Sequence, residues 1–375
     1  MLTGCSDLAG SGPSSSEIDA ASKSKNGESV RFALIDVSPR IVGVMETWGR
    51  PSLQGGFGNV HRPAAQTIGV GDAIQIVIWE AAAGGLFSAP GLDRQSSGSR
   101  SATIPEQVVA NDGMVTVPYV GRIRVAGRSM AQVEQAIVAA LQGKAVEPQA
   151  LVTVTKNVSN TVTVIGEVTN GARVPLTTRG DRILDVIAAA GGIRVPVHEV
   201  FLILVRQDQT VRVPMQAILA HPTENILVLP GDVVTVARDP QTFTAAGATG
   251  QNAVIPFDSI GISLQEAIAR AGGLNDQRAD PQGVFVVRFE DKHRYLELGL
   301  VVPSPSSADQ VPVIYRINMR DPNAFFLARR FPMRNKDLLF VSNAPLAELQ
   351  KVFGVINTLI VPGASALAVT AVARY

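Results

Sequence analysis

The 375-residue chain has a single cysteine, few aromatic residues and little charge. With only Cys5, it can form neither an intrachain disulfide nor a metal cluster held by cysteines. Aromatic residues make up 5% of the chain, whereas glycine and proline number 34 and 23, which favours many short strands and turns over an all-helical protein. The formal net charge is +1 and no long basic run occurs, so we do not expect a nucleic-acid partner.

Motifs of the common catalytic classes are also missing. The four histidines lie far apart in sequence, and none has a metal-binding spacing; they are His61, His198, His221 and His293. No phosphate-binding loop and no G-x-S-x-G nucleophile motif occurs. We therefore expect no catalytic residue, no metal and no cofactor. A polysaccharide-cleaving enzyme stays open as a minor hypothesis, because the spatial separation of two carboxylates cannot be read from a sequence.

The composition is that of a folded protein of several domains. Hydrophobic residues make up 46% of the chain and charged residues 17%, so it has ample material for a core. At about 150 residues per domain, the length predicts two or three domains. We expect a mixed α+β protein built from β-rich modules.

The N-terminal residues resemble a bacterial lipobox, the motif at which a lipoprotein is cleaved and acylated. Small residues precede Cys5, but only Met1 precedes the motif itself, so the alternative of an ordinary cysteine in a tail stays open. Residues 6–29 then read as a Ser/Gly/Lys-rich tether. Residues 30–44 predict a strand followed by a turn at Pro39, and ordered structure is expected from about Thr67.

The next part of the chain alternates strands and turns. Residues 68–79 read as a Gly-Asp turn entering a strand, residues 81–101 as a Gly/Ser-rich loop, and residues 111–121 as two short strands with their turns. Ser129 is expected to cap a helix that runs to about Leu141. A half-buried strand is expected at residues 152–154.

The remainder contains an internal duplication, each copy predicting strand, helix, strand and strand in that order. The segments are 162–168, 182–193, 200–206 and 229–236 in the first copy, and 243–247, 263–274, 284–289 and 333–341 in the second. The second copy is longer, and its insertion is expected around residues 302–311. The order of elements is β-grasp-like.

Two small motifs recur with the duplication. Gly-Gly pairs at 191–192 and 272–273 supply the left-handed residue that closes a helix. Asp72, Asp232 and Asp337 recur where a turn leads into a strand, which favours a structural role over a catalytic one.

Taken together, these motifs resemble the outer-membrane polysaccharide export family of Gram-negative bacteria. The Gly-Asp turn at 71–72, with residues 112–113 and 117–121, is similar to its export domain, and the two Gly-Gly units are similar to its soluble-ligand-binding β-grasp domains. The resemblance implies five parts in series. They are a lipobox, tether and strand at 1–66, an export domain at 67–157, β-grasp domains at 158–240 and 241–344, and a C-terminal outer-membrane helix at 345–375.

The C-terminal segment carries an amphipathic pattern that suits such a helix. Its polar side is expected to line a water-filled pore; the residues are Gln350, Lys351, Asn357, Thr358 and Ser365. Its apolar side is expected to face lipid; the residues are Leu349, Val352, Phe353, Ile356, Leu359 and Ile360. Pro362 interrupts the helix, so the regular span is expected to end near Val361. From the pattern alone, a soluble amphipathic helix stays equally open.

The resemblance implies a lipid-anchored, mostly periplasmic protein of the bacterial outer membrane. Its subunits are expected to form a homo-oligomer, an octamer, whose C-terminal helices make an α-helical barrel for capsular polysaccharide or exopolysaccharide. The partner is expected to be an inner-membrane polysaccharide co-polymerase or a capsule ABC transporter. The alternative is a monomeric periplasmic module without a pore that binds carbohydrate or peptidoglycan.

Overall fold

The structure is a computed structural model that describes residues 12–23, 31–49, 51–58, 66–81, 86, 100–302 and 309–345. The strands found there are β1 (Ala33–Asp36), β2 (Ala73–Glu80), β3 (Arg100–Val108), β4 (Met114–Val117), β5 (Gly121–Arg124), β6 (Gln149–Lys156), β7 (Thr161–Gly166), β8 (Ala172–Pro175), β9 (Val200–Arg206), β10 (Gln209–Pro214), β11 (Val233–Arg238), β12 (Gln241–Gly247), β13 (Ala253–Phe257), β14 (Ala279–Asp291), β15 (Gln310–Ile317) and β16 (Asp337–Asn343). The helices found there are α1 (Ser15–Lys23), α2 (Pro39–Thr47), α3 (Leu53–Phe57), α4 (Met130–Leu141), α5 (Ile183–Ala189), α6 (Met215–Ala220), α7 (Leu264–Arg270), α8 (Lys292–Glu297) and α9 (Asn323–Arg330). The α+β class expected from the sequence is confirmed.

The chain divides into two compact units, residues 51–239 and residues 1–50 with 240–375. In the first unit, β2 pairs antiparallel with both β3 and β6, and β4 forms a hairpin with β5. Strand β2 buries alternate isoleucines, Ile74, Ile76 and Ile78, in the core on which α4 packs. Helix α4 starts as the sequence predicted, with the Ser129 hydroxyl accepting a hydrogen bond from the Gln132 amide.

The two copies of the duplication form sheets with the same central pairing. In the first copy the strand order is β10-β9-β11-β7-β8, with β7 parallel to β11. In the second it is β1-β15-β14-β16-β12-β13, with β12 parallel to β16. The helix after the opening hairpin closes on a glycine of positive φ in both, at Gly191 (+85°) and Gly272 (+79°), as the sequence predicted. The repeat is therefore a repeat of structure as well as of sequence.

The insertion of the second copy lies within a hairpin. Two residues, Gln207 and Asp208, join β9 to β10 in the first copy, whereas residues 292–309 join the corresponding strands β14 and β15. The range in which the sequence predicted the insertion, around 302–311, overlaps only its C-terminal part. The sequence did not predict that it begins with helix α8.

The N-terminal segment differs from its prediction at Pro39. A strand with a turn was expected over residues 30–44, but only β1 is a strand and Pro39 opens helix α2. Proline fits the first position of a helix because the amide that it lacks would have no partner there. Helix α2 buries Ile41, Val42 and Met45 in the core of the second copy.

Ordered elements also begin earlier than the expected Thr67. Helix α1 lies within the predicted tether, and its Ile18 is buried. Strand β1 adds to the sheet of the second copy, parallel to β15, with Leu34 opposite Ile314. The residues of α1, which the sequence assigned to a tether, thus belong to the same unit as residues 240–345.

Candidate functional site

The residues assigned to the membrane by the sequence lie outside the described part of the chain. They are Cys5 for lipidation, Gln350, Lys351, Asn357, Thr358 and Ser365 for the pore, and Leu349, Val352, Phe353, Ile356, Leu359 and Ile360 for lipid contact. Within the described ranges, no helix has both the length and the apolar character to cross a membrane. The described residues do include the segments that lead to both sets.

Both of these segments belong to the second copy: α1 packs on one face of its sheet, and β16 is a strand of that sheet. We call this surface the chain-end face and define it by α1, β1 and β16. Ile18 of α1 packs with Phe285 and Phe340, whose rings stack 6.4 Å apart. Gly12 lies directly against Phe340, so near that a β-carbon at residue 12 would come within 2.8 Å of the ring. The chain therefore contacts β16 at Gly12, seven residues after Cys5, and β16 itself ends at Asn343, two residues before residue 345.

Ion pairs fix the same N-terminal segment to the sheet. Arg316 on β15 donates to Asp19 of α1 over 2.9 and 3.1 Å, and to Asp36 of β1 over 2.6 Å. These two carboxylates and the hydrogen bonds to them raise the pKa of Arg316, against the lowering effect of burial. One arginine thus connects two N-terminal elements to a strand of the second copy.

The three aspartates singled out in the sequence form the same turn three times. Each is buried, follows a residue of positive φ, and accepts a hydrogen bond from the amide three residues earlier. The amides are those of Gly69, Leu229 and Arg334, at 2.8, 2.8 and 2.7 Å from Asp72, Asp232 and Asp337. The geometry is that of a structural turn, as the sequence predicted.

The partner that completes each turn differs between the export part and the duplication. Asp72 accepts bonds from the amides of Val158 and Ser159 and from the Ser159 hydroxyl. Burial acts to raise the pKa of Asp72, but the hydrogen bonds from Gly69 and Ser159, and then Val158, outweigh it and lower that pKa. This carboxylate is therefore held in its charged form.

In the duplication, an arginine on the neighbouring strand completes the turn. Arg206 donates to both carboxylate oxygens of Asp232, and Arg288 does the same to Asp337. The sequence analysis missed both arginines, although they stand in corresponding strands, β9 and β14. Comparing the two copies strand by strand would have revealed them.

Around Arg288 the second copy builds a larger buried network. Glu290 accepts bonds from Arg288, Arg334 and the Tyr315 hydroxyl. Burial, and then the charge of Glu290, raise the pKa of Tyr315 above its ordinary value, whereas burial, and then the charge of Arg288, lower that of Arg334. The rings of Tyr315 and Phe331 lie 5.7 and 5.4 Å from the Arg288 guanidinium.

This network pairs its charges among themselves and has the character of a structural core. The described residues contain no group of three or more His, Cys, Asp or Glu side chains arranged to hold a metal ion. His198 and His293 each lie next to a glutamate on the surface, and His61 lies outside the described residues.

Comparison with known protein families gives three matches along the chain. Residues 60–155 match the family described as "Polysaccharide biosynthesis/export protein". Residues 161–218 and 241–341 each match an SLBB domain. The two SLBB matches fall on the two copies of the duplication, so the serial order of an export domain and two SLBB domains is confirmed.

Curated relatives match nearly the whole chain. The capsule polysaccharide export outer membrane protein CtrA of Neisseria meningitidis serogroup B (strain ATCC BAA-335 / MC58) is 37% identical over 98% of this chain and 94% of its own length. The capsule polysaccharide export protein BexD of Haemophilus influenzae is 36% identical over 96% and 93%. The Vi polysaccharide export protein VexA/TviF of Salmonella typhi is 27% identical over 90% and 91%.

The outer-membrane location implied by the resemblance is confirmed by the names of these relatives. More than a third of the aligned residues are identical to those of capsule export proteins, over almost the entire length of these relatives, and the export and SLBB matches follow in order. The chain therefore belongs to the outer-membrane polysaccharide export family.

Proposed function

We propose that the chain is one subunit of an outer-membrane channel that exports a capsular polysaccharide or an exopolysaccharide. The observation that carries the proposal is the near-full-length similarity to capsule export proteins. Movement of a hydrophilic polymer through a pore requires neither a catalytic residue nor a cofactor. The export domain and the SLBB domains would form the periplasmic part, and residues 345–375 the part in the membrane.

The chain-end face supports an attachment at both ends of the chain. A lipid on Cys5 would lie within about 25 Å of Gly12, because that is the greatest reach of the intervening residues. Gly12 contacts Phe340, and β16 ends at Asn343, where the C-terminal segment begins. A lipid anchor and a C-terminal helix would therefore enter the same membrane from the same unit.

The proposed pore follows from the amphipathic pattern of the C-terminal segment. A single helix in lipid would expose Gln350, Lys351 and Asn357 to hydrocarbon, which is costly. A ring of helices would turn this side, with Thr358 and Ser365, to water, and the side with Leu349 and Phe353 to lipid. Polar groups in the pore would contact sugar hydroxyls weakly, since tight binding would stall transport.

The proposed homo-oligomer needs contacts between subunits outside the membrane as well. Two adjacent aromatic side chains on α9, Phe325 and Phe326, are 53% and 71% exposed. Exposed apolar patches commonly mark protein interfaces. We infer that α9 contacts a second copy of this chain, in a ring that we expect to be an octamer. The rival role for the SLBB domains is binding of a soluble ligand.

The proposal also assigns a separate role to each of the five parts of the chain. The parts are 1–66, 67–157, 158–240, 241–344 and 345–375, and the family matches support the three in the middle. The energy for transport would come from an inner-membrane polysaccharide co-polymerase or a capsule ABC transporter.

Native mass spectrometry tests the channel directly. The full chain and a version ending at Asn343 are extracted in mild detergent and compared. A discrete ring that loses its detergent belt on truncation is the expected result. A monomer in both cases would overturn the channel and favour the alternative, a periplasmic module that binds carbohydrate or peptidoglycan without a pore.

A further inference from the structure

A cavity of about 460 Å³ lies in the unit of residues 51–239, between the export domain and the first SLBB domain. Its volume is within the range of about 300–1,000 Å³ that is usual for small-molecule sites. We call it the junction pocket and define it by its lining residues, which are Gln66, Thr67, Ile68, Met130, Thr153, Val154, Asn157, Asn160, Leu176, Thr177 and Thr178.

Two hydrogen bonds between the domains and one within the first SLBB domain hold the pocket in shape. The side-chain amide of Gln66 donates to the carbonyl of Leu176 over 2.6 Å, and the side-chain amide of Asn160 donates to the carbonyl of Thr67 over 2.8 Å. The backbone amide of Leu176 returns a bond to the Asn160 carbonyl over 3.0 Å. The three segments that form the walls are thus tied to one another, which lowers the entropic cost of binding a ligand.

Several polar groups in the walls are left available. Neither the hydroxyl of Thr153 nor that of Thr178 bonds to any other described residue. The side chain of Asn157 uses only its oxygen, which accepts a bond from the backbone amide of Asn160. Both threonines are solvent-exposed and Asn157 is half-buried. The pocket thus offers hydroxyl and amide groups that can both donate and accept hydrogen bonds.

None of the lining side chains carries a charge. One acidic group that contacts the lining is Asp181, which accepts bonds from the amide and hydroxyl of Thr177. An anionic ligand would find no positive partner among these residues and would meet this carboxylate. The chemistry therefore favours a ligand with several hydroxyl or amide groups and no charge.

We propose that the junction pocket binds a neutral sugar residue, plain or N-acetylated, of a saccharide chain. This inference rests on the proposed export function and adds a specific contact before the pore. The pocket would hold the polymer through hydrogen bonds to Thr153, Asn157 and Thr178. Since these residues are uncharged and few, the contact is weak enough to release a moving chain.

Ligand-detected NMR with the full chain in detergent tests the pocket. The probes are maltohexaose, tetra-N-acetylchitotetraose and trigalacturonate, and titration calorimetry then gives the affinity of those that bind. We expect saturation transfer to at least one neutral probe, and binding of the acidic probe at least about tenfold weaker. Absence of transfer to both neutral probes, or stronger binding of the acidic one, would overturn the proposal.

Two variants assign the binding to the pocket. Thr153→Val combined with Thr178→Val removes two exposed hydroxyls at nearly constant shape, and should weaken binding about tenfold. Asn157→Asp keeps the oxygen that accepts from Asn160 but removes the amide donor, and should weaken it as well. Thr116→Val, an equally exposed threonine outside the pocket, is the matched control. Unchanged affinity in both pocket variants would place the sugar elsewhere and overturn the proposal.

The outcome is separable from that of the channel. Native mass spectrometry of the same samples reports the ring independently of sugar binding. A ring without sugar binding refutes the junction pocket alone, whereas sugar binding by a monomer refutes the channel and leaves the pocket standing.

Discussion

Arg288 donates two hydrogen bonds to Asp337, over 2.8 and 2.6 Å, and only 3% and 1% of their side chains are exposed. The first SLBB domain contains the corresponding pair, Arg206 with Asp232, exposed to 12% and 2%. In both domains the arginine lies on the strand beside the turn that the aspartate closes. The duplication has therefore kept a buried ion pair together with the fold.

We expect Arg288→Met to destabilise the second SLBB domain by about 3–5 kcal/mol, because it leaves the Asp337 carboxylate buried without its main partner. Trp48 packs against this core and reports its unfolding by fluorescence in urea, with Trp79 replaced by Phe. The control is Arg330→Met, which breaks an exposed pair with Glu46 in the same unit and should cost at most about 1 kcal/mol.

Replacing both partners sharpens this test. Arg288→Met with Asp337→Leu removes the unpaired charge, so the double variant should be more stable than Arg288→Met alone. Equal loss in the single variant and in the Arg330→Met control would show that the pair contributes no more than a surface bridge.

A second prediction concerns the glycines that end β7 and β12. Gly166 and Gly247 have φ of +96° and +90°, and a β-carbon at either would lie 2.1 Å from a backbone carbonyl oxygen of the parallel strand. Alanine there should cost more than the roughly 1–3 kcal/mol of backbone strain alone. Gly143→Ala, at φ +77° with open space around it, should show the strain only. Urea unfolding compares the three, and equal losses would refute the role of the close approach.

A third prediction concerns acid. The pKa of Asp72 is lowered in the folded chain, so its contribution to stability is present above the ordinary value of about 4 and is lost as pH falls through the lowered pKa. Asp72→Asn should therefore flatten the loss of stability below about pH 4. Urea midpoints followed by Trp79, with Trp48 replaced by Phe, measure this, and the exposed Asp208→Asn is the control. A wild-type acid slope in Asp72→Asn would contradict the prediction.

The fourth prediction concerns subunit contacts. Exchanging Phe325 and Phe326 for serine removes apolar surface that already faces solvent, so the fold should persist while the ring weakens. Native mass spectrometry at falling protein concentration should detect dissociation earlier than in the wild type. Val108→Ser, at a residue 65% exposed in the export domain, is the control. Unaltered assembly of the serine variant would remove α9 from the interface.

Much of the fold could be predicted because its signals are local. Three kinds of feature depend only on residues within a few positions of one another. They are the cap at Ser129, the glycines at 191 and 272, and the turns at Asp72, Asp232 and Asp337. The duplication repeats the glycine and aspartate motifs in a second part of the chain, which supported the same prediction twice. Pro39 was misread because proline is compatible with both a turn and the first turn of a helix, and the choice depends on residues that are buried against distant strands.

The sequence by itself determined the family, the α+β class, the order of the modules and the location, since these follow from motifs and from similarity along the chain. Only the tertiary structure decided that β1 joins the second SLBB sheet, that Arg288 meets Asp337, and that Gln66 and Asn160 help to frame one pocket. Each of these relationships joins residues distant in sequence. Such pairs leave no periodic or local pattern, because their contact arises from packing of the whole core.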